Sequence, residues 1–333
     1  MSHLNRKDKI KKSTILIICI CFSIAGFFIS IMNGAVKIYP SEIISAIFFE
    51  EATVNYQIIW NVRLPRTIAA SLVGTCLALS GCILQGVMRN PLASPNIIGV
   101  SSGAGLMSLI VLIIFPDYYY LAPLGAFAGA LLATLLIYFL AWKEGAATTR
   151  LILAGVAVSS LLGAGNNAIL TFYPEKVAGV MGFMVGGLSS TGWKHVDMIF
   201  PYAVAGGILL LFITNKLNIL MLGDELATGL GLNVEATRFF FIIISSLLAG
   251  AAVSAAGLLG FVGLIVPHIT RLFIGSDYRY LIPAAIFTGS AVVVLCDTLA
   301  RVMFAPLEIP VGIIMSALGA PFFLYLLRRK KEQ

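Results

Sequence analysis

Residues 63–105 read "RLPRTIAASLVGTCLALSGCILQGVMRNPLASPNIIGVSSGAG" and contain two apolar runs joined by a short polar stretch. The first run, 67–87, has about the 20 apolar residues that a helix needs to cross a bilayer. The second run covers 97–115. Between them, "NPLASP" carries Asn90, Pro91 and a second proline, a pattern typical of a tight turn. The stretch therefore predicts two membrane-spanning helices joined by a turn.

The whole chain shares this apolar character. Of its 333 residues, 59% are hydrophobic and only 11% are charged, and the mean hydropathy is +0.98. A soluble fold needs more charge to cover its surface, so the composition predicts a polytopic, all-α membrane protein. The formal charge of +7 forms no basic stripe. The basic residues flank the apolar runs, which indicates membrane topology and speaks against a nucleic-acid partner.

Eight further apolar runs predict more crossings. They lie at 14–32, 121–142, 151–170, 198–213, 239–256, 257–273, 281–303 and 309–327. The first is too long for the apolar region of a signal peptide, so we expect it to be retained. The run at 257–273 is short and interrupted by Pro267. If it crosses, most of the 22 basic residues, including the terminal "RRKK", lie on the cytoplasmic side. About ten spans with both termini cytoplasmic are therefore expected.

The predicted spans form one transmembrane domain, 1–333, with two helix groups at 63–213 and 238–327. A spacing of glycine and proline recurs between the groups, at Gly81, Pro91 and Gly99 and again at Gly257, Pro267 and Gly275. Paired interrupted segments in two halves are typical of transporters built from repeats. The spacing predicts that the two groups are related.

The segment "LNILMLGDELATGLGLNVEATR" (217–238) is too polar to cross a bilayer. Its helix signals are Gly223, Asp224 and Glu225 at a start, Gly231 at an end and Asn233 as the cap of a second helix. Leu226, Ala227 and Leu230 would give the short helix an apolar face. Because two helical turns are marginal in water without tertiary support, we expect 214–237 to dock a protein partner in the cytoplasm.

Three arginines lie at the outer ends of the predicted spans, against the usual bias of positive charge toward the inside. They are Arg63, Arg66 and Arg301. They could reach lipid headgroups with their charged ends, or they could bind an acidic protein surface at an open mouth. Asp297 precedes Arg301 by one helical turn, so the two side chains can pair and Asp297 can orient the arginine.

The sequence contains no catalytic, nucleotide-binding or metal-binding pattern. A G-x-x-x-x-G-K-[ST] loop is absent, so ATP hydrolysis is expected in a partner. The histidines are scattered, and the five cysteines lie in apolar runs as packed thiols, so no cofactor or metal is expected in this chain. An intramembrane enzyme is disfavoured. A secondary transporter would need an ionisable residue in a span, for which Asp297 is the only strong candidate.

Four motifs in order resemble the FecCD-type permeases. They are the stretch 63–105, the segment 217–238, "GLLGFVGLIVPHITRL" (257–272) and "EIPVGIIMSALGAPFFLYLL" (308–327). Those permeases are the membrane subunits of ABC importers for iron–siderophore complexes, haem and vitamin B12. The resemblance runs from about Arg63 to the C-terminus.

The resemblance implies ten spans per subunit in a bacterial cytoplasmic membrane. It also implies a second permease subunit, identical or homologous, two cytoplasmic ATPase subunits and an external substrate-binding protein. It matches the short helices to those that couple to the ATPase, at Leu222, Gly223, Asp224, Glu225, Ala227, Leu230 and Gly231. It matches Arg63, Arg66 and Arg301 to arginines that dock the binding protein. A ferric siderophore is the expected cargo, with haem and cobalamin as alternatives.

Overall fold

The computed structural model describes residues 2–34, 54–96, 99–141 and 148–329, which are helical and contain no strand. Two of the helices, α2 and α3, include a five-residue π-helical segment. In chain order the helices are α1 Ser2–Met32, α2 Val54–Val87, α3 Val100–Ile114, α4 Ala122–Ala141, α5 Thr148–Phe172, α6 Val177–Val185, α7 Trp193–Leu220, α8 Asp224–Gly229, α9 Val234–Ala256, α10 Val262–Ile274, α11 Tyr278–Val302 and α12 Val311–Arg329.

Each predicted apolar run coincides with one helix of the described chain. Seven helices are long and apolar enough to cross a membrane, namely α1, α2, α4, α5, α7, α9 and α11. Three shorter apolar helices, α3, α10 and α12, account for the remaining runs. The prediction of an all-helical, multi-pass membrane protein is confirmed. That all ten cross the bilayer stays a prediction.

Helix α2 lies at the centre of the bundle and packs against α1, α7, α9, α10 and α11. Small residues permit this packing. A β-carbon on Gly74 would overlap the carbonyl of Gly289 in α11, and one on Gly81 would overlap the carbonyl of Gly263 in α10. Lipid tails are as apolar as leucine, so helices in a membrane gain stability chiefly from such close contact.

Helices α2 and α9 run in opposite directions, and a pair of serines forms hydrogen bonds where the two helices contact each other. Ser80 Oγ donates to the Ser245 carbonyl at 2.9 Å, and Ser245 Oγ donates to the Ser80 carbonyl at 3.3 Å. Both serines are buried. Each hydroxyl thus satisfies its hydrogen bond inside the bundle, where an unpaired polar group is costly.

The bundle has two ends, which we name for the carboxylates that lie there. At the Asp224 end are the last residues of α2 and α7 and the first residues of α9 and α11. The last residues of α1 and α11 and the part of α2 around Arg63 and Arg66 lie at the Asp297 end. The sequence predicts that the Asp224 end is cytoplasmic.

The glycines and prolines of the predicted repeat do not occupy matching places in their helices, and a relation between the two helix groups stays a prediction. Gly81 lies in the middle of α2, whereas Gly257 ends α9 with a φ of +69°. Pro91 lies in the turn after α2, whereas Pro267 lies inside α10, which continues through it. Glycine serves both close packing and chain reversal in membrane helices. Its spacing alone therefore does not identify equivalent positions.

Helix α6 was not predicted, because its apolar run is far shorter than a span. It joins α9 and α12 through backbone hydrogen bonds at its C-terminal end. Leu258 donates to the Phe183 carbonyl at 2.9 Å, and Gly312 donates to the Gly186 carbonyl at 2.9 Å. Gly186 has a φ of +85°, which lets the chain leave the helix at this junction.

Candidate docking sites at the two ends of the bundle

The local structure of 217–238 agrees with its sequence signals. Helix α8 begins at Asp224, directly after Gly223, whose φ of +108° favours glycine. Gly231 follows the helix with a φ of +82°. The side-chain oxygen of Asn233 accepts a hydrogen bond from the Ala236 amide at 3.0 Å and caps α9. The predicted start and end of α8 and the predicted start of α9 are confirmed.

An apolar surface is exposed on and before α8. This α8 patch consists of Met221, Leu222, Leu226 and Leu230. Leu226 and Leu230 are each 62% exposed, and Leu222 is 55% exposed. Glu225 is exposed beside them. Large apolar side chains clustered in a segment too polar to enter the membrane are typical of a protein-interaction surface.

Ala227 does not belong to this surface, and its assignment to the docking contact is wrong. The residue is 0% exposed and faces the bundle, while Leu226 and Leu230 face outward. Its carbonyl accepts a hydrogen bond from the Leu232 amide at 3.0 Å. A small side chain here lets α8 lie close to α7 and α9, so a bulky charged residue would damage the fold and not the docking surface alone.

Asp224 holds α8 in place through two arginines. Its two carboxylate oxygens lie 3.0 and 3.1 Å from Arg238 Nη2, at the start of α9. Arg89 Nη2, just beyond α2, lies 3.2 Å from the same carboxylate. Arg238 is buried and also contacts Glu235 at 3.2 Å. Asp224 therefore anchors α8 to two spans, a role that its sequence position did not reveal.

The turn between α2 and α3 has the predicted form. The Asn90 side-chain oxygen accepts a hydrogen bond from the Leu92 amide at 2.9 Å, which is the geometry of an Asx turn. Pro91 occupies the turn between them. This turn places the adjacent Arg89 beside α8.

At the Asp297 end, five charged side chains form an ion cluster: Arg63, Arg66, Asp297, Arg301 and Glu308. Arg66 binds Asp297 with two nitrogens, at 3.0 Å from Nε and 2.9 Å from Nη2, and reaches Glu308 with Nη1 at 2.7 Å. Arg301 Nε lies 3.5 Å from Asp297, which confirms that this pair can form. The planar guanidinium suits such two-pronged contacts.

Two arginines of the cluster also bind the C-terminal end of α1. Arg63 Nη1 donates to the Ile31 carbonyl at 2.6 Å, and Arg301 Nη2 donates to the Ser30 carbonyl at 3.1 Å and the Ser30 hydroxyl at 2.7 Å. The last carbonyls of a helix lack partners within it and carry partial negative charge. The two cations therefore stabilise the end of α1.

The expectation that the three arginines lie at an open mouth is wrong. Arg63, Arg66 and Arg301 are only 3%, 5% and 4% exposed. Snorkelling to lipid headgroups is equally inconsistent with this burial. Sequence reasoning missed Glu308 and Ser30 because neither lies within a helical turn of its arginine. Within this cluster Glu308 is the partly exposed member, with a side chain that is 39% exposed.

The described residues contain no cluster of three or more histidine, cysteine or acidic side chains that could hold a metal ion. The five cysteines are free, and Cys76, Cys82 and Cys296 are buried. His268 packs against Phe322 with ring centroids 5.8 Å apart.

The described chain is a multi-pass helical bundle with a short helix, α8, outside its apolar spans. The chain belongs to the FecCD transport family, which matches residues 20–329. This agrees with the resemblance carried by the four sequence motifs.

Individual relatives and a solved structure agree with this assignment. The chain is 37% identical over 329 residues to the Fe(3+)-citrate import system permease protein YfmE of Bacillus subtilis, with 98% of both chains covered. It is 42% identical over 276 residues to the cobalamin import system permease protein BtuC of Halobacterium salinarum, covering 82% of this chain and 74% of that one. An inward-facing structure of a metal-chelate type ABC transporter matches with a TM-score of 0.83 and 28% identity, covering 95% and 99%. The chain is therefore a permease subunit of an ABC transporter.

Proposed function

We propose that the chain forms the pathway by which a ferric siderophore enters through the bacterial cytoplasmic membrane. Residues 1–333 would form one permease domain of ten spans with both termini in the cytoplasm. The ferric-citrate relative and the metal-chelate transporter structure support an iron chelate as cargo. The cobalamin relative has comparable identity. Cobalamin and haem are therefore the alternative cargoes.

A pathway driven by an ion gradient is not supported. Such a transporter needs an ionisable side chain in a span that can bind and release the coupling ion. Asp297 is the sequence-based candidate, and it lies 2.9 Å from Arg66 and 3.5 Å from Arg301. Two cations already neutralise this buried carboxylate, so it is a structural anchor.

The α8 patch is proposed to dock the ATPase, and the exposure of its leucines is the observation that carries this proposal. Leu222, Leu226 and Leu230 are each more than half exposed. Burying their apolar surface against a partner would contribute a binding free energy of roughly 25 cal/mol for each Å² buried. The anchored Asp224 holds the patch at a fixed position on the bundle. The α8 patch is thus a rigid apolar surface on the predicted cytoplasmic side. An ATPase bound to it could transmit its movement to the bundle.

A second permease subunit is proposed to pack beside α5, with the pathway between the two chains. Few residues of α5 are buried, and Ser160, Asn167 and Thr171 are exposed. These three side chains share one helical face, because their spacings of seven and eleven residues are close to whole turns. Polar side chains seldom face lipid tails, so this face fits an aqueous pathway or a protein neighbour.

The external binding protein is proposed to dock at the Asp297 end around Glu308. Arg63, Arg66 and Arg301 would shape this surface from beneath, since they are buried. An acidic side chain of the binding protein would reach Arg66 by displacing Glu308, the only member of the ion cluster with substantial exposure.

Reconstitution in proteoliposomes tests the function as a whole. With its ATPase subunits and loaded binding protein, the chain should import a ferric siderophore on addition of ATP. Vesicles without the ATPase should show no uptake. Import of haem or cobalamin, but not of the siderophore, would overturn the proposed cargo. Uptake driven by an ion gradient without ATP would overturn the importer mechanism.

A further inference from the structure

Helix α2 ends in a motif that normally requires glycine. The Asn90 amide donates to the Gln85 carbonyl at 3.1 Å, and the Arg89 amide donates to the Gly86 carbonyl at 3.2 Å. These two bonds define a Schellman motif, whose residue after the cap adopts a left-handed backbone. That residue is Arg89, with a φ of +48°.

An arginine at this position is strained, since the left-handed region brings a β-carbon close to the following carbonyl. Among the described non-glycine residues only Arg89 and Phe261 have a positive φ. Glycine would close the helix without this strain. The termination of α2 therefore does not explain why residue 89 is an arginine. The explanation lies in the contacts of its side chain, which glycine lacks.

The Arg89 side chain crosses from the end of α2 to the start of α8. Its Nη2 lies 3.2 Å from Asp224 Oδ1, and its Nη1 lies beside Gly223. Asp224 is already held by the buried Arg238 at 3.0 Å. Arg238 thus anchors α8 to α9, and the contact of Arg89 adds a separate link from α8 to α2.

We propose that Arg89 is a positioning residue that couples movement of α8 to α2. The inference rests on the proposed docking of the ATPase to the α8 patch. Since α2 packs against five other helices, a displacement delivered through Arg89 reaches the centre of the bundle. In this arrangement Arg238 anchors α8 to α9, and Arg89 transmits the movement of α8 to α2.

The test uses Arg89→Gly in the complete transporter, with ATPase subunits and binding protein in proteoliposomes. The melting temperature should not fall, because glycine suits the left-handed backbone. The ATPase should co-purify in the same amount, because the α8 patch is unchanged. Substrate moved per ATP hydrolysed should fall by about fivefold or more, the lower range of measured coupling between sites.

Two further variants separate coupling from structure. Arg89→Lys keeps the charge but loses the forked geometry, and it should give an intermediate ratio of transport to hydrolysis. Arg238→Lys should instead lower the melting temperature, because it weakens the buried anchor of α8. If both arginines only stabilised the fold, both substitutions would lower the melting temperature and neither would change transport per ATP selectively.

Unchanged transport per ATP in Arg89→Gly would overturn the proposal. A loss of ATPase co-purification in that variant would also overturn it, because Arg89 would then belong to the docking contact. Failure of the unmodified chain to bind an ATPase would instead refute the proposed function. The failure of the inference and the failure of the function are thus distinguishable.

Discussion

At the scale of single residues, Asp297 is expected to contribute strongly to stability. It is 1% exposed and neutralises Arg66 and Arg301 together. Asp297→Asn leaves two buried guanidinium groups without their shared carboxylate. Breaking a buried ion pair from one side typically costs about 3–5 kcal/mol. We expect a clear drop in the thermal unfolding temperature of the detergent-purified chain.

Glu308→Gln is the matched control for Asp297→Asn. Glu308 also contacts Arg66, at 2.7 Å, but its side chain is 39% exposed. Partly exposed pairs contribute about 0–1 kcal/mol, so this variant should unfold close to the temperature of the unmodified chain. Equal destabilisation by both variants would show that burial does not decide the strength of these pairs.

A second prediction at this scale concerns pH. Asp277 lies just before α11, and its carboxylate is bound by Arg279 at 2.6 Å, by the Arg279 amide and by Asn218. The Arg279 side chain chiefly, with the other two donors, lowers the pKa of Asp277 to about 2. Because this pKa is below its unfolded value, the stabilisation is present above about pH 4 and is lost as the pH falls through about 2.

Comparing Asp277→Asn with the unmodified chain measures this contribution. The difference in unfolding temperature between the two proteins should be largest at neutral pH and shrink as the pH falls from about 4 toward 2. A difference that stays constant over this range would mean that the Asp277 charge does not stabilise the fold.

At the scale of elements, we expect the exposed residues of α8 to affect ATPase docking and its buried residue to affect stability. Replacing both Leu226 and Leu230 by glutamate should abolish co-purification of the ATPase, since truncation of interface anchors costs about 2 kcal/mol or more each. The unfolding temperature should stay close to that of the unmodified chain, because both side chains already face water. Ala227→Glu should lower it, because the new carboxylate is buried.

Leu307→Glu provides the control for the α8 variants. Leu307 is 73% exposed and lies in the connection after α11, at the Asp297 end. The same chemical change at the opposite end of the bundle should leave ATPase binding intact. If it removed the ATPase as well, the loss in the α8 variants would reflect general damage to the surface and not docking.

At the scale of the whole molecule, the ion cluster predicts how the binding protein responds to charge. If an acidic side chain of that protein displaces Glu308, Glu308→Gln removes a repulsive charge and leaves Arg66 available. Changes of rim charge act mainly on the association rate and its dependence on salt. We therefore expect faster association and a steeper salt dependence, measured by surface-based binding kinetics. Slower association would mean that the docking surface prefers a basic partner.

The helices, including the short helix α8, followed from the sequence, because their signals are local. Runs of about 20 apolar residues predicted the long spans. Gly223, Gly231 and Asn233 predicted the bounds of α8 and the start of α9 within one or two residues, since caps and left-handed turns depend on neighbours only a few residues away. The Asp297–Arg301 pair was also predictable, because it lies within a single helical turn.

Only the tertiary structure decided which faces are buried and which charges meet. Lipid and protein interior are both apolar, so a membrane helix carries little periodic signal to separate its lipid face from its packed face. The three arginines were expected at an open mouth because of their position at the ends of predicted spans, although they are buried. Arg66 finds Asp297 across 231 positions of sequence, and Ala227 turns inward while Leu226 turns outward. Such contacts depend on how helices cross, a property of the assembled bundle.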